Sequence, residues 1–155
     1  NISANPTSGN HAININAGDI FLDLNGHTLT QTNAQIGISG IRIANRTNIS
    51  ITNGSISNFT AHGIYADGDT ITINNVTLRS NGITDSEAAL MFETASDFRA
   101  ENVRLYGNYQ GISVLNSNGG MIRKCTGIST TSLSIGSLTS SRMLIDQCRM
   151  FQCAI

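Results

Sequence analysis

Five ionisable side chains in the middle of this chain, His62, Asp67, Asp85, Glu87 and Glu93, are of the types that carry acid–base chemistry. Two carboxylates brought to neighbouring positions repel unless one holds a proton or a cation bridges them, and each condition has a use. The first serves general acid–base cleavage and the second serves calcium binding. Asp67 and Glu93 are the pair expected to meet it, with Asp85, Glu87 and His62 beside them; calcium at Asp67 and Glu93 is the only cofactor the pattern admits. Tyr65, Arg42 and Tyr109 are expected to form a substrate-binding surface, because exposed aromatic rings stack on sugars. A plainer role stays open for most of these. Asp67-Gly68-Asp69 suits an ordinary turn, and His62 suits a polar corner.

Arg42 and Tyr109 are 67 positions apart, so a site containing both needs a fold that returns the chain repeatedly to one face. Internal repetition supplies such a fold. A motif of apolar, any, apolar, closed by a further apolar residue, occurs as LDLNGHTL from Leu22, ISITNGSI from Ile49 and ITINNVTL from Ile71. It recurs as FRAENVRL from Phe98, MIRKCTGI from Met121 and MLIDQCRM from Met143. The closing residues Leu29, Ile56, Leu78, Leu105, Ile128 and Met150 are separated by 27, 22, 27, 23 and 22 residues.

A second strand lies in each unit: Gly37-Ile38-Ser39, Gly63-Ile64-Tyr65, Ala89-Leu90-Met91, Gly111-Ile112-Ser113 and, less clearly, Ser132-Leu133-Ser134. Within these segments the period is two and polar turn residues bound each one. Glu87 to Glu93, EAALMFE, has helix-like composition, but its alignment with the other second strands places it in a sheet. A unit of this size cannot bury its apolar side alone, whereas stacked units cover one another. The expectation is an all-β solenoid of about six coils of 22–27 residues, one domain over residues 1–155, with 1–11 an irregular lead-in and 12–153 the stacked coils.

Composition narrows the partners. Only 12% of residues are charged and the formal net charge is −1, so the basic footprint that nucleic acid or an anionic membrane requires is missing. No apolar run approaches a membrane span. Cys125, Cys148 and Cys153 lack metal-ligand spacing.

DLNGHTL (23–29), NISITNGSISNF (48–59), HGIYADG (62–68) and INNVTLRSNGI (73–83) resemble the right-handed parallel β-helix family, the pectin-lyase-like superfamily. The resemblance implies the handedness, and it covers polysaccharide lyases, hydrolases, epimerases, tailspikes and noncatalytic surface proteins, so it leaves activity open. It also implies that chemistry, where present, sits on an outer face. The Asp-Asp, Asn-Thr-Asp, Gly-His-Gly and Arg-Ile-Lys signatures of a polygalacturonase-like hydrolase do not occur.

Stacking predicts ladders. Asn53, Asn75, Asn102 and Gln147 would form an amide column, with the first coil needing a one-residue bulge to join it. Cys125 and Cys148 would point inward near the level of Val76 and Val103 as stacked thiols, with a bridge open in an oxidising compartment. Glu101, Arg123 or Lys124, and Asp146 would alternate in charge outside.

Two functional expectations follow. One is a noncatalytic extracellular, cell-surface or virion-surface module that binds a polysaccharide or cell-surface glycan, or builds a fibre. The other is a polysaccharide-processing enzyme acting on an outer groove. The apolar ends, MFQCAI and Ile13 with Ile15, read as an excerpt of a longer chain or an assembly, capped by flanking domains or a homotrimer partner.

Overall fold

A computed structural model describes residues 1–7, 9–128 and 135–151. The expected strand at Ser132–Ser134 and the third cysteine, Cys153, lie outside the described residues. Among the described residues there are 17 strands and no helix, and every pairing is parallel. One sheet has 11 strands; the other has six, at Ile13–Ile15, Ile41–Ile43, Ile64–Ala66, Ala88–Glu93, Gln110–Leu115 and Ile135–Leu138. The chain is a parallel β-solenoid of about six turns. EAALMFE is a strand from Ala88 onward, because Leu90 lies between Ile64 and Ile112 in the sheet.

Vertical files of identical orientation make the core. Ile51, Ile73 and Ala100 are stacked in register and fully buried, as are Ile41, Ile64 and Leu90 on the opposite wall. Phe92 and Phe98 stack with ring centroids 4.1 Å apart. Each such aliphatic side chain contributes about 1.5–3 kcal/mol on burial.

Corners are made by single residues in the left-handed region. Asn53, Asn75 and Asn102 occupy one column with φ of 58°, 54° and 54°, and Lys124 and Gln147 continue it with 52° and 53°. Asn suits this conformation because its short amide bonds locally. The amide column itself is partial: Asn75 donates to Asn53 at 3.0 Å, but Asn102 donates to Asn74. The continuous buried amides are elsewhere. Asn81 and Asn108 are fully buried, and Asn81 Nδ2 donates to Asn108 Oδ1 at 3.1 Å. Asn81 therefore belongs to a core corner.

Four registers differ from the sequence alignment, and in the second strands Ile41, not Ile38, stands opposite Ile64, so the strand is Ile41–Ile43 and Gly37-Ile38-Ser39 lies before it. Leu22 pairs with Ile51, not Ile49, so the first corner carries two extra residues, and Leu24 fills the interior beside Gly54, where an added Cβ would lie 2.4 Å from it. Gly120 and Gly127, not Met121 and Ile128, hold the interior positions of the fifth repeat. Both leave room for a large neighbour: a Cβ on Gly120 would meet Phe98 Cζ at 2.0 Å, and one on Gly127 would meet Met150 Sδ at 2.4 Å. Residues 1–11, expected to be irregular, include a strand at Ile2–Ala4 that pairs with Leu29–Gln31.

Candidate functional site

The six-stranded sheet buries Ile41, Ile64, Leu90 and Ile112 and puts the next residue of each strand on its outer side, where Arg42, Tyr65 and Ser113 are half-buried and Met91 is covered, 7% exposed. Arg42, Tyr65, Met91 and Ser113 consequently form one row across four coils. The Arg42 guanidinium carbon stands 5.6 Å from the Tyr65 ring centroid, within cation–π range. The Tyr65 phenol donates to Glu93 Oε2 at 2.8 Å. Burial, and then that acceptor, push the phenol up to about 12, so Tyr65 is a fixed proton donor at ordinary pH.

The ladder ends at Ala66 and Phe92, and one further residue sets Asp67 beside Glu93 on the outside of adjacent coils. The two carboxylates are held by different donors. The Thr94 hydroxyl lies 2.7 Å from both Asp67 Oδ1 and the Glu93 carbonyl, so its single proton is shared between two acceptors. Calcium takes about six to eight oxygen ligands. One oxygen of each acid already accepts a hydroxyl, and among the described residues no group of three His, Cys, Asp or Glu side chains is placed to hold a metal.

His62 packs against Tyr65 with ring centroids 5.5 Å apart. The Ala88 amide lies 3.1 Å from His62 Nδ1. The Ala88 carbonyl oxygen stands at 3.2 Å from the same Nδ1, so this nitrogen accepts from the amide in one tautomer and donates to the carbonyl in the other. Burial lowers the imidazole below its ordinary range, which keeps the ring neutral. His11, two coils earlier in the same column, receives the Ser39 amide in the same way at 3.0 Å.

Glu87 is occupied by its own loop: Oε2 accepts the Ile83 and Thr84 amides at 2.7 and 2.9 Å, closing the turn. Asp85 stands on the exposed tip of that turn. Its carboxylate, beside the Tyr109 phenol, raises that group, and its carbonyl accepts the Gln110 amide. Asp85, Ser86 and Gln110 form one rim of a groove of about 450 Å³, with Met91, Leu115 and Leu138 making its apolar side. The fold thus brings Arg42, His62, Tyr65, Asp67 and Glu93 into one strip, joins it through Met91 to the groove beside Asp85 and Tyr109, and leaves Glu87 as a loop cap.

Thr94, Gln110, Leu115 and Leu138 are absent from the sequence-based site. Leu115 and Leu138 carry a readable signal, since each follows an inward position of its strand and is turned to solvent; Leu138 is 66% exposed. The hydroxyl of Thr94 and the amide of Gln110 carry none, being two among many polar corner residues.

A parallel solenoid with a polar strip and groove on one outer sheet defines the class. Residues 39–155 match the family described as a right handed beta helix region, and the chain belongs to that family. No curated protein sequence matches it. Among solved structures, a protein of Parabacteroides merdae ATCC 43184 described as a candidate glycosyl hydrolase superposes with a TM-score of 0.65 over 90% of this chain and 79% of that one, at 15% identity. At that identity the likeness is one of fold. Among the described residues, no helix is long and apolar enough to cross a membrane.

Proposed function

We propose that this chain is a noncatalytic β-helix module that binds carbohydrate along the outer face of its six-stranded sheet, in an extracellular, cell-surface or virion-surface setting. One observation carries the reading: the row Arg42, Tyr65, Met91 and Ser113 runs into an apolar-sided groove rimmed by amide, hydroxyl and carboxylate groups. Sugars combine apolar ring faces with hydroxyls, so a stacking surface edged by convergent hydrogen-bonding groups suits them. The acids favour binding over cleavage because each has structural work: Glu93 holds Tyr65, Asp67 meets Thr94 and Glu87 closes a turn. The glycosyl hydrolase description of the Parabacteroides protein points in the same chemical direction.

A second reading rests on the side-by-side placement of Asp67 and Glu93. Adjacent strands lie about 4.8 Å apart, near the roughly 5–5.5 Å carboxyl separation of retaining glycosidases. A glycan array run together with a reducing-end release assay separates the two. Binding without release supports the module, release that is lost in Asp67→Ala or Glu93→Ala supports the enzyme, and neither binding nor release overturns both.

A further inference from the structure

Cys125 and Cys148 occupy the same position in consecutive coils, since Arg123 pairs with Asp146 and Thr126 with Arg149 on either side of them. Their thiols adopt the same posture. Cys125 Sγ lies 3.3 Å from the Arg123 carbonyl and 3.7 Å from the Ala100 carbonyl below; Cys148 Sγ lies 3.4 Å from Asp146 and 3.6 Å from Ile122. Both are free. In-register neighbours about 4.8 Å apart fall inside the Cα range of about 4.4–6.8 Å that a cystine spans.

Exposure differs between them. Cys125 is fully buried, whereas Cys148 is half-buried and opens onto a recess of about 550 Å³ shared with Lys124 and Arg149. We infer that the pair is an oxidisable dithiol, which a small anionic disulfide of the glutathione type converts to an inter-coil cystine that staples these two turns. The inference is independent of the carbohydrate reading.

The exchange balances in two steps. The Cys148 thiolate attacks one sulfur of the glutathione disulfide, the S–S bond breaks, and one glutathione thiolate leaves. Cys125, having lost its proton to solvent, attacks Cys148 Sγ and expels the second glutathione. Two protein thiols are oxidised and one small disulfide is reduced to two thiols. Burial pushes the Cys125 thiol up to about 12, so the second step is the slower one and quickens as pH rises.

The test uses a Cys153→Ser background, so that the third thiol cannot exchange, with oxidised glutathione in mildly alkaline buffer. Intact mass should fall by two hydrogen atoms, non-reducing peptide mapping should join Cys125 to Cys148, and Tm should rise by roughly 5–10 °C, reversibly with dithiothreitol. In Cys125→Ala the glutathione adduct should be trapped on Cys148. A stable adduct on Cys148 with Cys125 still free in the parent, or two thiols that remain titratable, would overturn the inference.

Discussion

Asn81 sits one coil below Asn108, both completely buried, and Asn108 Oδ1 accepts from the Asn81 amide nitrogen at 2.9 Å and from its side chain at 3.1 Å. Asn81 Oδ1 takes the Phe59 amide, its Nδ2 also reaches the Ile56 carbonyl, and Asn108 Nδ2 reaches the Leu78 carbonyl. Every polar atom of the Asn81 side chain is thereby satisfied at a corner with no access to water.

Removing that side chain takes a partner from two buried groups, the Phe59 amide and the Ile56 carbonyl, each worth about 1–3 kcal/mol when unsatisfied, while Asn108 Oδ1 keeps the Asn81 backbone amide. Asn81→Ala is expected to lower the unfolding free energy by about 3 kcal/mol or more in urea denaturation. Asn102→Ala, at an exposed corner, should cost only about 1–2 kcal/mol, the penalty of alanine in a left-handed conformation.

Gly120 leaves the space that Phe98 fills. Gly120→Ala should destabilise by about 1–3 kcal/mol through overpacking. Combined with Phe98→Leu, it should cost less than the two single changes added together. Strict additivity in a double-mutant cycle would contradict the packing described.

Tyr65→Phe deletes one hydrogen bond to Glu93 and keeps the ring. Tm should hold within a few degrees, while the Kd for any carbohydrate bound by the wild-type chain should rise by roughly tenfold, the equivalent of about 1.4 kcal/mol. Isothermal titration calorimetry against the best array ligand measures it.

His62 is held neutral in the folded chain while the unfolded chain binds a proton near the ordinary value of 6.5. Below that pH the unfolded state carries more protons, so stability falls as pH drops through 6.5 and levels off below the folded value. His11 is lowered for the same first cause, burial, and adds to the slope. His62→Gln should flatten the stability profile between about pH 5 and 7 without abolishing it, as read by denaturation at a series of pH values.

The solenoid is legible wherever interior positions are apolar: Ile51, Ile73 and Ala100 align by pattern and stack in fact. Register is lost where the interior residue is glycine, as at Gly120 and Gly127, because a search for apolar periodicity slides to the nearest hydrophobic neighbour. It is lost again at Leu24, where two extra residues make a corner that no spacing announces. The placement of Asp67 beside Glu93 follows from Ile64 lying against Leu90 and was therefore accessible to alignment. Which donor each acid receives was not, because Thr94 and Tyr65 act through side-chain geometry across coils. The burial of Asn81 is not legible either, because it depends on the Asn108 amide of the coil above.

The most direct measurement is residue-by-residue chemical-shift mapping of the ¹⁵N-labelled chain with a bound oligosaccharide. Perturbations are expected at Arg42, Tyr65, Met91 and Ser113, four positions far apart in sequence and side by side on one sheet, and at Leu115 and Gln110 along the groove. Shifts confined to Ser55, Thr77 and Arg104 on the other sheet, or an unchanged spectrum with every glycan tried, would contradict the assignment of the binding face.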